Sequence, residues 1–157
     1  MNTASISELK KEIALLERDE LQNLILRLVK YKKENKELLS YVLFDSPDEQ
    51  AFIEQVKSEI DSQFSEINTR NLYYIKKSCR KVLRFCNKYI RYSGIPATAI
   101  EILIYFCEKI NAMGVPIENS TALNNLYQAQ IKKIKQTIGT LHEDLQYDYT
   151  KLLNKLA

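Results

Sequence analysis

Apolar residues recur along this chain at intervals of three and four, the period of a helix with one buried face. Ser5-Ile6-Ser7-Glu8 has the form of a capping box, in which hydroxyl and carboxylate each meet a backbone donor that the helix leaves unpaired. A short helix over about 6–16 is therefore predicted. Asp19 is placed to cap a second helix, whose apolar face is Leu21, Leu24, Ile25, Leu28 and Val29. The polar run 32–36 then turns the chain into a third helix carrying Leu38, Leu39, Val42 and Leu43.

Ser46-Pro47-Asp48-Glu49 is the clearest start signal. Ser caps, Pro takes the first helical position where its missing N–H costs nothing, and two acids meet the positive end of the helix dipole. The fourth helix then buries Phe52, Ile53, Val56, Ile60 and Phe64, with Ile67 near its end. Thr69 or Asn71 starts a fifth helix that runs to about residue 92 and stops at Ser93-Gly94. The sixth, over about 96–112, is apolar almost all round, as helices in the centre of a domain are. Gly114 and Pro116 end it.

From Ser120 onward, apolar residues at 123, 127, 131, 134, 138, 141, 145, 149, 152 and 156 keep one face in phase. Gly139 and the box Thr140-Leu141-His142-Glu143 argue for a break in that stretch. The unbroken phase argues for continuity, since an interior Gly costs only about 1 kcal/mol. The break is the favoured reading. The expected fold is all-α, with seven or eight antiparallel helices and short loops in a helical-hairpin (α-solenoid-like) or bundle architecture. The 157 residues are read as a single all-helical domain, with short N-terminal helices over 1–45, central helices over 46–113 and a C-terminal helical region over 117–157.

Composition narrows the function. Three glycines, at 94, 114 and 139, leave no place for a phosphate-cradling loop or a dinucleotide fingerprint. The longest apolar run, at 102–107, is far below the roughly 20 residues a membrane span requires. No apolar signal-type stretch stands in the first twenty residues, so a cytoplasmic protein without a membrane partner is expected. Cys79, Cys86 and Cys107 read as small core residues. Cys79 and Cys86, seven positions apart on one helix, lie about 10.5 Å apart along its axis, too far for a disulfide or a shared metal. The acidic pairs Asp19-Glu20 and Glu143-Asp144 stand at helix starts, where the dipole accounts for them. No catalytic constellation, metal motif or cofactor motif is present, although Cys107 and His142 are the one formal nucleophile–base pair.

Charge is what is unevenly distributed. The overall count, 23 Lys and Arg against 20 Asp and Glu, gives a net +3. Yet no acid stands between Glu66 and Glu101, and that gap holds Arg70, Lys76, Lys77, Arg80, Lys81, Arg84, Lys88 and Arg91. Without those eight, 15 basic residues face 20 acidic ones. At about 100° per residue the basic side chains, with Tyr73 among them, occupy the arc opposite Leu72, Ile75, Cys79, Val82, Leu83, Cys86, Tyr89 and Ile90. Like charges stacked at i,i+4 cost a few tenths of a kcal/mol per pair unless something neutralises them.

Two neutralising sources are available. The fourth helix carries Asp48, Glu49, Glu54, Glu59, Asp61 and Glu66, and a hairpin would lay it alongside. The other source is a partner. The sequence therefore suggests a non-enzymatic macromolecular interaction module that uses Tyr73, Lys76, Lys77, Arg80, Lys81, Arg84, Lys88 and Arg91 to meet an acidic protein surface. Nucleic acid bound through the same stripe is the alternative. Lys132, Lys133 and Lys135 could extend that surface, and the C-terminal apolar stripe allows a homo-oligomer.

Overall fold

A computed structural model describes residues 2–156, and every regular element among them is helical. The α-helices are α1 (Ile6–Ile13), α2 (Arg18–Tyr31), α3 (Lys33–Ser40), α4 (Glu49–Ser65), α5 (Leu72–Ser93), α6 (Pro96–Ala112), α7 (Thr121–Ile138) and α8 (Glu143–Asn154). Contacts divide the chain into two compact units, one ending at Leu43 and the other beginning at Phe44. The sequence reading drew no division there beyond grouping 1–45 as the N-terminal helices.

Local capping chemistry sets the boundaries. Ser5 and Glu8 form the reciprocal box at α1. At α2 the cap is Glu17 rather than Asp19, because Glu20 reaches back to the Glu17 N–H at 2.9 Å and closes a box two residues earlier. Ser46–Asp48 is a 3₁₀ turn containing the proline, so the cap of α4 moves from Ser46 to Asp48, whose carboxylate accepts from Ala51 N–H at 3.0 Å. Asn71 caps α5 through Tyr73 N–H. Gly94 ends α5 with φ +67°, a conformation that favours a residue without Cβ. The break between α7 and α8 is present, but Gly139 stays right-handed at φ −60° and the new cap is His142, not Thr140.

In the unit from Phe44 onward, consecutive helices α4 to α8 run antiparallel. Glu49 at the start of α4 meets Ser93 at the end of α5 and Thr98 at the start of α6. Asp61, late in α4, meets Tyr105 and Lys109 late in α6. The α7 Tyr127 hydroxyl contacts Asn111 at the end of α6 and the backbone carbonyl of Leu156 beyond α8. The result is an all-α hairpin bundle, as expected.

α6 is its axis. Nine of its residues are buried, including Ile100, Ile102, Leu103, Phe106 and Ile110, so it packs on almost every side. Full burial stabilises each such side chain by about 1.5–3 kcal/mol, an upper range because the unfolded chain already buries part of that surface. α4 contributes Phe52, Ile53, Val56 and Ile60, and Phe64 lies edge-on to Phe106 at 5.9 Å. α5 contributes Ile75, Cys79, Val82 and Cys86, and α7 Leu123, Tyr127, Ile134 and Ile138. In α8 the buried residue is Leu153, while Leu145 and Leu152 of the predicted stripe stay exposed. Tyr149 and Leu156 of that stripe are half-buried beside Leu153, so a pattern read straight through the break at 139–142 misses the inward face of α8 by about one position at 145 and 152.

Candidate interaction surface

The basic helix is built as its pattern requires. Its apolar arc faces the core, and Lys77, Arg80, Lys81, Arg84 and Arg91 are exposed on the other side, with Lys76 and Lys88 half-buried. The structure separates these cations into two rows. Arg80, Arg84 and Arg91, together with Asn87, fall at spacings of four, three and four and lie on the side turned towards α7. Lys77, Lys81 and Lys88 fall about 60–100° further round the helix.

The arginine row lines a groove between α5 and α7 made of adjoining clefts, which share Arg84 and Asn87 at one junction and Ile90, Arg91 and Lys133 at the next. Arg80, Arg84, Asn87 and Leu83 face Ala122, Asn125 and Leu126 at one end. Arg84, Asn87, Ile90 and Arg91 face Lys133 in the middle. The groove then continues past Gly94, Ile95, Pro96 and Ala99 to Gln136, Thr137 and Thr140. No acidic residue lines any of these stretches. Leu83, Ile90, Ala122 and Leu126 give it an apolar floor. Lys133 Nζ donates to Asn87 Oδ1 at 3.0 Å, which holds that ammonium over the groove.

Several acids on and beside α4 have partners other than the arginines of α5. Glu49 accepts from the hydroxyls of Ser93 and Thr98, and Glu54 pairs with Lys57 at 3.0 Å. Asp61 pairs with Lys109 and accepts from the Tyr105 hydroxyl at 2.7 Å. Burial raises the Asp61 carboxyl, but the hydrogen bonds from Lys109 and Tyr105 outweigh it and hold it below the usual aspartate value. The Tyr105 hydroxyl is pushed up by its burial and by Asp61. Asp48 caps its own helix. Among the described residues, no ion pair joins an acid to Arg80, Lys81, Arg84 or Arg91.

Of the residues singled out from sequence, Arg80, Arg84 and Arg91 come together in the groove. Lys77 and Lys81 stand on the outer row. Lys88 lies on that row with its ammonium 4.9 Å from the Tyr89 ring centroid. Tyr73 sits at the start of α5, 59% exposed, with Lys76 Nζ 5.0 Å from its ring centroid and Tyr74 edge-on beside it. Neither tyrosine lines the groove. Sequence reasoning did not place Asn87 or the apolar floor there, and it offered Lys133 only with Lys132 and Lys135 as a possible extension of the basic surface. The available signal was the shared 4-3-4 spacing of 80, 84, 87 and 91.

The other reactive residue types are held apart. Cys79, Cys86 and Cys107 have no solvent exposure, and burial pushes each thiol up to about 12. His142 is exposed at the α8 cap, where Nδ1 accepts from Asp144 N–H at 3.4 Å. Among the described residues, no three His, Cys, Asp or Glu side chains gather in metal-binding range, and no helix is long and apolar enough to cross a membrane. No protein-family model matches the chain, and comparison with curated proteins and with solved structures gives no match.

Proposed function

We propose that this chain is a non-enzymatic interaction module whose α5–α7 groove binds an acidic segment of another protein. The observation that carries the reading is the row Arg80, Arg84 and Arg91, joined by Lys133, along a groove that has an apolar floor and no acid in its walls. Guanidinium groups form two-point hydrogen bonds to carboxylates, and they do so better where apolar neighbours exclude water. The row runs over eleven residue steps, about 16 Å of helix axis. A partner helix with acids at i, i+4, i+7 and i+11 presents carboxylates at the same intervals, with room for apolar side chains between them. Nucleic acid is the alternative occupant of the same cations. It is less favoured because the exposed rings that would stack on bases, Tyr73 and Tyr74, stand outside the groove.

A fluorescein-labelled amphipathic peptide with glutamates at those four positions tests the reading by anisotropy. The expected result is binding that weakens about tenfold or more, equivalent to about 1.4 kcal/mol, in Arg80→Glu/Arg84→Glu. Lys77→Glu/Lys81→Glu, on the outer row, weakens it less. Equal losses from the two rows, or no binding by the natural chain at low salt, would overturn the groove as the site. Binding of a duplex oligonucleotide instead, with a log–log salt slope near about −4.5 for five phosphates, would transfer the surface to nucleic acid.

A further inference from the structure

The N-terminal unit has helices but almost no interior. None of the residues of α1, α2 or α3 is buried. Along the apolar stripe of α2, Leu24, Ile25 and Leu28 are 36, 45 and 51% exposed, and Leu21 and Val29 are half-buried. Helices of eight, fourteen and eight residues are marginal in water by themselves, and units of about 40 residues usually need a partner surface to supply the core they lack.

We infer that α2 is a self-association surface, and that its occupant is α2 of a second copy of this chain, packed antiparallel. Two features of the helix specify that occupant. The first is spacing. Leu21, Leu24, Ile25 and Leu28 are symmetric about the midpoint between 24 and 25. A two-fold axis through that midpoint sets Leu21 against Leu28 of the partner subunit and Leu24 against Ile25 of the partner subunit. A two-fold contact must be self-complementary in this way.

The second feature is charge. The start of the helix is net acidic, with Glu17, Asp19 and Glu20 against Arg18, and its end is basic, with Arg27 and Lys30 and the flanking Lys32. Antiparallel packing brings acidic start to basic end twice over and opposes the two helix dipoles, whereas parallel packing stacks like on like. Glu20 and Arg27, seven residues apart, share one edge of the apolar face. In the antiparallel pair each lies within reach of its opposite number across the axis.

Light-scattering mass measurement on the full chain tests the association. The expected mass at tens of micromolar is twice 18.4 kDa, falling to 18.4 kDa in Leu24→Glu/Leu28→Glu with the helical circular dichroism of the bundle retained. Cysteine substitution tests the orientation, because the native thiols are buried and stay silent. Ile25→Cys lies beside the two-fold axis and should oxidise to a covalent dimer. Tyr31→Cys is separated from its own copy by about 20 Å along the axis, beyond the roughly 7 Å a disulfide spans, and should not. A mass of 18.4 kDa at every concentration, or a dimer that survives Leu24→Glu/Leu28→Glu, overturns the interface. Cross-linking through both cysteines, or through Tyr31→Cys alone, overturns the antiparallel arrangement. Peptide binding in the α5–α7 groove is read separately and is unaffected by either result.

Discussion

Glu49 joins three helices through one carboxylate oxygen, and replacing its donor Thr98 with valine isolates the worth of one of those links. Thr98 Oγ1 donates to Glu49 Oε1 at 2.6 Å, the same carboxylate oxygen that accepts from Ser93. Thr98 is 1% exposed, so no water replaces the lost donor at its own position. A hydrogen bond to a charged acceptor is worth about 1.5–3 kcal/mol. Valine has the same shape, opens no cavity, and returns up to about 0.8 kcal/mol for one more buried methyl group. The net expectation for Thr98→Val is a loss of about 1–2 kcal/mol. In thermal melts this corresponds to about 2–8 °C. Urea unfolding followed by circular dichroism should show a lower midpoint at unchanged slope.

A double-mutant cycle then assigns the loss to the pair rather than to the site. Once Glu49→Ala has removed the acceptor, Thr98→Val should be neutral or stabilising, with a coupling of at least about 1 kcal/mol. A Thr98→Val protein as stable as the natural one, or equal losses with and without Glu49, would refute the view that this carboxylate ties the start of α4 to the α5–α6 turn.

Other substitutions and probes check the local chemistry. Gly94→Ala should destabilise by about 1 kcal/mol, because φ +67° strains any residue with a Cβ although nothing lies within 4 Å to clash. Gly139→Ala should be neutral or stabilising by up to about 1 kcal/mol, since φ there is −60° and the added Cβ meets only ordinary contacts, so thermal melts of the two variants should move in different directions. An aromatic disulfide reagent at neutral pH should react with no thiol of the folded chain and with all three after denaturation. Rapid reaction of any thiol in the folded state would contradict the burial of Cys79, Cys86 and Cys107.

Much of this architecture is determined by residues close together in the chain. Helix starts at Ser5 and Ser120, the stop at Gly94 and the span of α6 are all legible, and the start of α5 is narrowed to Thr69 or Asn71, because caps, proline at the first turn and glycine with positive φ act within four residues. The central place of α6 follows from its being apolar on nearly every side. Even where local reasoning misplaces a cap, as at Glu17, Asp48 and His142, the shift is two residues, because neighbouring polar side chains compete for the same unpaired donors.

Contacts between distant residues decide what periodicity leaves open. A stripe states that a helix has a face, but not what covers it. Leu153 rather than Leu152 enters the core, a difference of one position that a pattern counted through the break at 139–142 does not resolve. The acids of α4 are adjacent in sequence to the basic helix, yet Asp61 is drawn to Lys109 and Tyr105 of α6, because parallel α4 and α6 bring those groups level. The arginine row of α5 becomes the wall of a groove only because α7 lies beside it and supplies Lys133 from 46 residues away. The sequence alone determined that one helix is cationic; the packing of α4 and α7 decided that its arginines face a groove without a counter-charge.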